Sequence, residues 1–143
     1  MASNPDGTPT VLLHHFKHNK VLHKQVILMS VLGEQVPEVP PERRVKLDVL
    51  GRGFCRLTAR YGFMHQPNVP EVLEMCRGSE LEIKLGDTSY YLGRETLLTT
   101  GRSSMSRWRK ALFAFVSRNA RPATAYFGLP PNRVVELGMQ IDL

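Results

Sequence analysis

The chain has 143 residues, of which 42% are hydrophobic, and it carries 19 Lys and Arg against 13 Asp and Glu, a formal charge of +6. This size and composition exclude an intrinsically disordered chain and favour one compact domain with a single core. The positive excess is scattered rather than run together, so nucleic acid is not an expected partner; the two cysteines, Cys55 and Cys76, lie in unrelated segments and exclude a disulfide framework.

Residues 1–9 are polar, contain Pro and Gly, and read as a flexible lead-in without the character of a secretory signal. Residues 1–7 are a candidate for non-native sequence, and the domain is expected over 10–143. Thr10 is placed to cap a short helix from Val11 to about Asn19, with Leu12, Leu13 and Phe16 as its apolar stripe. Gln25–Leu32 reads as a buried strand. Its apolar run is broken by Ser30 and falls far short of the ~20 residues a membrane helix needs. Gly33–Pro41, with three prolines, predicts an extended loop.

Arg44–Leu50 alternates, with Val45, Leu47 and Val49 on one side. After Gly51-Arg52-Gly53, Cys55, Leu57, Ala59, Tyr61 and Phe63 alternate again, which predicts an antiparallel hairpin over 44–63. Asn68 is positioned to cap a helix over Val69–Arg77 that Gly78 ends. A short strand is expected at Leu81–Leu85 and a longer one at Ser89–Leu98, with a bulge at Gly93. Beyond the Gly101–Ser104 loop, Trp108, Ala111, Leu112, Phe115 and Val116 form a helical stripe expected to face the core. Pro122 interrupts that helix, a helical turn follows before Gly128, and Pro130–Asn132 is a turn. Val135 to Leu143 has the period of a terminal strand. Together these elements predict a single α/β or α+β domain: a mixed sheet of about five strands, with about three helices packed on it.

Four of the five histidines fall between His14 and His23. His14 and His18, four residues apart, share a helix face as in some zinc sites, but the glutamate that should follow the first is His15 here. No nucleophile elbow and no Walker A loop is present, and Gly51-Arg52-Gly53 lacks the third glycine of a dinucleotide fingerprint. The expectation is therefore no catalytic residue, no metal and no cofactor. Arg94, Arg102, Arg107 and Arg109 flank the start of the Trp108 helix, where an anion such as phosphate is favoured.

Seven blocks occur in order: Phe16-Lys-His-Asn-Lys-Val-Leu-His23, the strand Val26–Val31, Ala59-Arg-Tyr-Gly-Phe-Met64 with Pro67, Tyr91-Leu-Gly-Arg-Glu-Thr96, Trp108-Arg with Leu112-Phe113, Arg118-Asn-Ala120, and Pro130-Pro-Asn-Arg-Val-Val-Glu-Leu-Gly138. From about Thr8 to Leu143 the chain resembles the C-terminal cytosolic domain of the bacterial KUP/HAK/KT potassium uptake transporters. One departure is His65, where family members commonly carry an acid. The resemblance implies a parent protein whose upstream membrane helices, absent from this chain, import potassium by proton symport. It implies a soluble fragment that works at the cytoplasmic face of the cell membrane in regulation, stability or assembly. The implied partners are the transporter's own membrane domain and cyclic di-AMP or ATP as a sensed nucleotide; a separate reading, from the terminal strand Val134–Leu143 itself, is a ligand-free dimerisation module in which that strand pairs with a second copy. His18, Asn19 and His23 are then candidates for docking or ligand contact, and Arg60, Arg94 and Arg102 for phosphate. The rival reading is a metal-dependent enzyme centred on His14, His18 and His23.

Overall fold

The computed structural model describes residues 7–78, 83–98, 108–109 and 121–142. Its first element, α1, spans Thr10–Asn19. Thr10 is the first helical residue rather than the cap. Pro9 occupies the cap position with no side-chain bond, and its carbonyl accepts the N–H groups of Leu12 and Leu13 at 2.9 and 3.2 Å. A proline just outside the helix serves because its extended backbone points its carbonyl into the first turn. Lys17 and His18 lie in the last turn, where cations oppose the helix dipole. Lys20 ends the helix in the left-handed region, φ 55°, and donates its N–H to Phe16 O at 2.9 Å.

Among the described residues, five strands form two sheets. In the first, β1 (Val26–Glu34), β2 (Val45–Gly51) and β3 (Phe54–Gly62) stand in the order β1-β3-β2. β3 pairs parallel with β1, from Val26 opposite Phe54 to Glu34 opposite Gly62, and antiparallel with β2, so the sheet is mixed and the hairpin lies where the alternation predicts it. The second sheet is the parallel pair β4 (Tyr90–Leu98) and β5 (Val134–Asp142). A parallel pair needs a long connection, and β4 and β5 are separated in the chain by residues 99–133, long enough for one. Register runs unbroken through Gly93 opposite Leu137, so the expected bulge is absent; the glycine is accommodated within a regular ladder. Of the expected strand at Leu81–Leu85, residues 81–82 lie outside the described residues, while Ile83 and Lys84 belong to no strand and Leu85 opens a 3-10 turn, Leu85–Asp87, so the described part does not form the strand.

The loop after β1 contains one element that its prolines do not announce. Pro41–Arg44 makes a single helical turn, α2, with Pro41 at its first position, where the absent N–H costs nothing. The loop is also laced to the end of β3: Phe63 and Met64 donate to the carbonyls of Val36 and Pro37 at 3.0 and 3.1 Å.

α3 (Val69–Met75) is capped by Asn68, whose Oδ1 accepts the Glu71 N–H at 3.3 Å. Val69, Val72, Leu73 and Cys76 pack against Leu57, Ala59 and Tyr61 of β3, with Met29, Tyr90, Leu92 and Leu129 completing the core. The Tyr61 hydroxyl exchanges hydrogen bonds with the backbone C=O and N–H of Asn68, both at 3.2 Å, tying the end of β3 to the start of α3. Burial raises the Tyr61 phenol above its usual pKa, and the Asn68 bond opposes that rise. The last helix, α4 (Ala123–Tyr126), is the helical turn expected after Pro122. No helix among the described residues is long and apolar enough to cross a membrane.

Candidate functional site

α1 meets β4 through an unexpected residue. The helix buries Val11 and His15, while Leu13 and Phe16, expected on the apolar stripe, are exposed. His15 is 8% exposed and sits edge-on to Tyr91 of β4, with ring centroids 4.7 Å apart. His23, from the link into β1, closes the cluster at 5.9 Å from His15 and 6.0 Å from Tyr91. Local periodicity cannot identify His15 as the buried position, because the partner ring lies far away in sequence.

Beside this cluster runs a groove of about 810 Å³, within the volume range of small-molecule sites. Val26, Ile27, Met29 and Leu73 are among its apolar lining, and among the described lining residues Lys24, Arg52 and Lys84 stand against one acid, Asp87, which makes it positive. The hairpin turn carries one of these cations. Gly51, Arg52 and Gly53 take φ values of 86°, 54° and 81°, so Arg52 adopts a conformation that costs a non-glycine residue about 1–2 kcal/mol. A Cβ on Gly53 would run into the carbonyl oxygen of Lys24, and Val26 donates its N–H to Gly53 O at 2.8 Å. Glycine at this position therefore lets the Lys24 backbone close on the turn that carries Arg52.

A second crevice, about 240 Å³, lies at the carboxyl ends of the parallel strands β1 and β3. Glu34, Tyr61, Phe63, His65 and Tyr126 line it. Arg60 Nε is 3.5 Å from Glu34 Oε1 at this end of the sheet. His65 Nε2 lies 3.9 Å from the Glu38 carboxylate, and its Nδ1 is buried without a hydrogen-bond partner among the described residues.

The residues singled out from sequence are thus dispersed. His18 and Asn19 are exposed at the end of α1, with the His18 ring stacked on His14 at 6.2 Å. Of the histidines and arginines proposed for ligand contact, His23 borders the groove. Arg60 is paired with Glu34, and Arg94 with Glu136 at 3.4 Å across β4 and β5. Arg102 and Arg107 lie outside the described residues, as does most of the expected Trp108 helix. Trp108 itself, placed in the core by its stripe, is 66% exposed, with the Arg109 guanidinium over its ring at 5.6 Å. Among the described residues no three His, Cys, Asp or Glu side chains gather as a metal ion would require. Cys55 and Cys76 are both buried and not joined; burial raises the Cys76 thiol, which keeps it protonated and a poor nucleophile. The groove residues that sequence reasoning did not single out are His15, Lys24, Arg52 and Lys84; the Gly-Arg-Gly turn is the signal for one of them.

Comparison with known proteins adds the context. The model of the family described as "K+ potassium transporter C-terminal domain" matches residues 1–143. The chain is 57% identical over 143 residues to a "Probable potassium transport system protein Kup" of Myxococcus xanthus. It is 53% identical over 142 residues to a "Probable potassium transport system protein Kup 1" of Syntrophobacter fumaroxidans, and 53% over 148 residues to a Kup protein of Anaeromyxobacter. These alignments cover 99–100% of this chain but only 22% of each relative's length. No solved structure matches the chain significantly.

Proposed function

Because the chain belongs to the K+ potassium transporter C-terminal domain family, we propose that it serves as the regulatory domain of a potassium uptake transporter, at the cytoplasmic face of the membrane that holds the rest of that protein. The observation that supports a sensing role is the groove: an apolar lining with aromatic Tyr91 and Phe54, ringed by Lys24, Arg52 and Lys84. That combination suits a ligand with a flat ring and phosphate, and a nucleotide such as cyclic di-AMP or ATP has both. Apolar walls take the base, while cations meet phosphate oxygens by charge-assisted hydrogen bonds.

Arg60 and Arg94 each already face a carboxylate, Glu34 and Glu136, which offsets part of their attraction for phosphate. Lys24, Arg52 and Lys84 line the groove, where Asp87 is the one acid among the described lining residues, so phosphate meets them with less competition. A ligand that binds one arrangement of the domain better than another shifts the transporter by that difference in affinity, and by no more.

Titration calorimetry of the chain against cyclic di-AMP and ATP tests this. One of them is expected to release or absorb heat saturably. Lys24→Ala with Arg52→Gly is expected to weaken that binding at least about tenfold, since a hydrogen bond to a charged group is typically worth about 1.5–3 kcal/mol. Glycine is chosen at 52 because it suits the left-handed backbone there. Absence of heat with both nucleotides at high micromolar concentration would reject a nucleotide as the groove's ligand.

A further inference from the structure

The most exposed apolar surface of the first forty residues is one that the groove leaves unused. With Val11 and His15 turned into the protein, α1 presents Leu13 (56% exposed) and Phe16 (53%) outward. Lys17 follows Leu13 by four residues, so helical spacing puts it beside that side chain, and Lys20, just past the helix end, donates its backbone N–H to Phe16 O at 2.9 Å. Val21, 68% exposed, extends the patch just past the helix end. Lys17 and Lys20 are themselves exposed, and no Asp or Glu occurs from Gly7 to Gly33, while Lys17, Lys20, Lys24 and four histidines do.

We propose that this outward face of α1 rests on an anionic lipid surface. The chemistry fits on both counts. Side chains of Leu and Phe on one face of a helix enter the boundary between headgroups and acyl chains, and flanking lysines pair with anionic headgroups. The segment offers no carboxylate to be repelled. An acidic protein groove would satisfy the lysines too, but this inference rests on the proposed function, under which the chain is part of a membrane transporter, and a surface held beside a bilayer meets lipid first.

The end of the helix gives an independent argument. Lys20 sits at φ 55°, a position that glycine or asparagine fills at lower cost, and Asn19 is one residue away. Lys20 is exposed there, and its backbone N–H is bonded to the carbonyl of Phe16, a residue of the exposed patch. This surface is separate from the groove: it uses none of the groove cations, except that Lys24 adds to the same positive field.

Flotation of the chain with phosphatidylcholine vesicles, with and without phosphatidylglycerol, tests it. Binding is expected only where phosphatidylglycerol is present, and it is expected to fall as salt rises. Lys20→Gly is expected to weaken vesicle binding about fivefold while raising thermal stability, a pairing that mere unfolding cannot produce. Phe16→Ser is expected to weaken it about tenfold with circular dichroism unchanged, because the side chain is already outside the core. Three results would overturn the proposal: no flotation with anionic vesicles at low salt, flotation that Phe16→Ser leaves intact, or capture only by vesicles that carry the membrane part of the full-length protein.

Discussion

Leu57→Ala is expected to lower the unfolding free energy by about 3–5 kcal/mol, a large share of the roughly 5–15 kcal/mol a domain possesses. Leu57 is fully buried on β3, the central strand of the mixed sheet, opposite Met29 on β1 and Leu47 on β2. Neighbours on three sides, two strands and α3, cannot all close on the space its side chain leaves, so the cavity cost adds to the lost transfer energy. Val49→Ala on the exposed stretch of β2 is the matched control, and it should change stability by no more than about 0.5 kcal/mol. Urea denaturation of the three proteins checks the contrast.

Gly62→Ala is expected to cost about 3 kcal/mol or more, although the change adds a single methyl group. A Cβ at residue 62 would run into the carbonyl oxygen of Pro37 and crowd that of Val36. Those same carbonyls accept the N–H groups of Phe63 and Met64. The loop after β1 must therefore move off β3, and its two hydrogen bonds go with it. Gly62 and Phe63 of this seam also line the crevice at the carboxyl ends of β1 and β3. The same denaturation experiment measures the loss, and loss of amide protection at Phe63 and Met64 in hydrogen exchange locates it. Gly33→Ala, where a Cβ meets nothing within 4 Å, is expected to be mild.

Some of this fold was legible because its cause is local. The hairpin over 44–63 follows from two alternating runs around a Gly-x-Gly turn, and the register of β2 on β3 agrees. The Asn68 cap and the α3 stripe ending at Cys76 are equally local. Other features were hidden because their cause lies elsewhere in the chain. Nothing near residues 26–34 states that β1 inserts parallel against β3, or that the five strands divide between two sheets. Pro41 looked like an extended residue and instead starts a helical turn.

The site was less legible than the fold, for the same reason. Counting histidines drew attention to His14 and His18, but packing selected His15, because Tyr91 is the ring that α1 meets. The stripe of Leu13 and Phe16 looked like a core face and is a surface. Arg60 and Arg94, singled out for phosphate, each have a carboxylate close by, whereas Lys24, Arg52 and Lys84 come together only through the turn at Gly53 and the approach of residues 83–91.

A groove that reports an intracellular ligand to a potassium transporter should make uptake depend on that ligand. Rubidium uptake by the full-length protein that contains this domain, in cells without other potassium uptake, reads this out. Wild type is compared with Lys24→Ala combined with Arg52→Gly, at low and high concentration of the nucleotide that calorimetry identifies. Uptake by the wild type is expected to change with nucleotide, and the variant is expected to respond no longer. An unchanged response in the variant, or none in the wild type, would refute the sensing role of the groove.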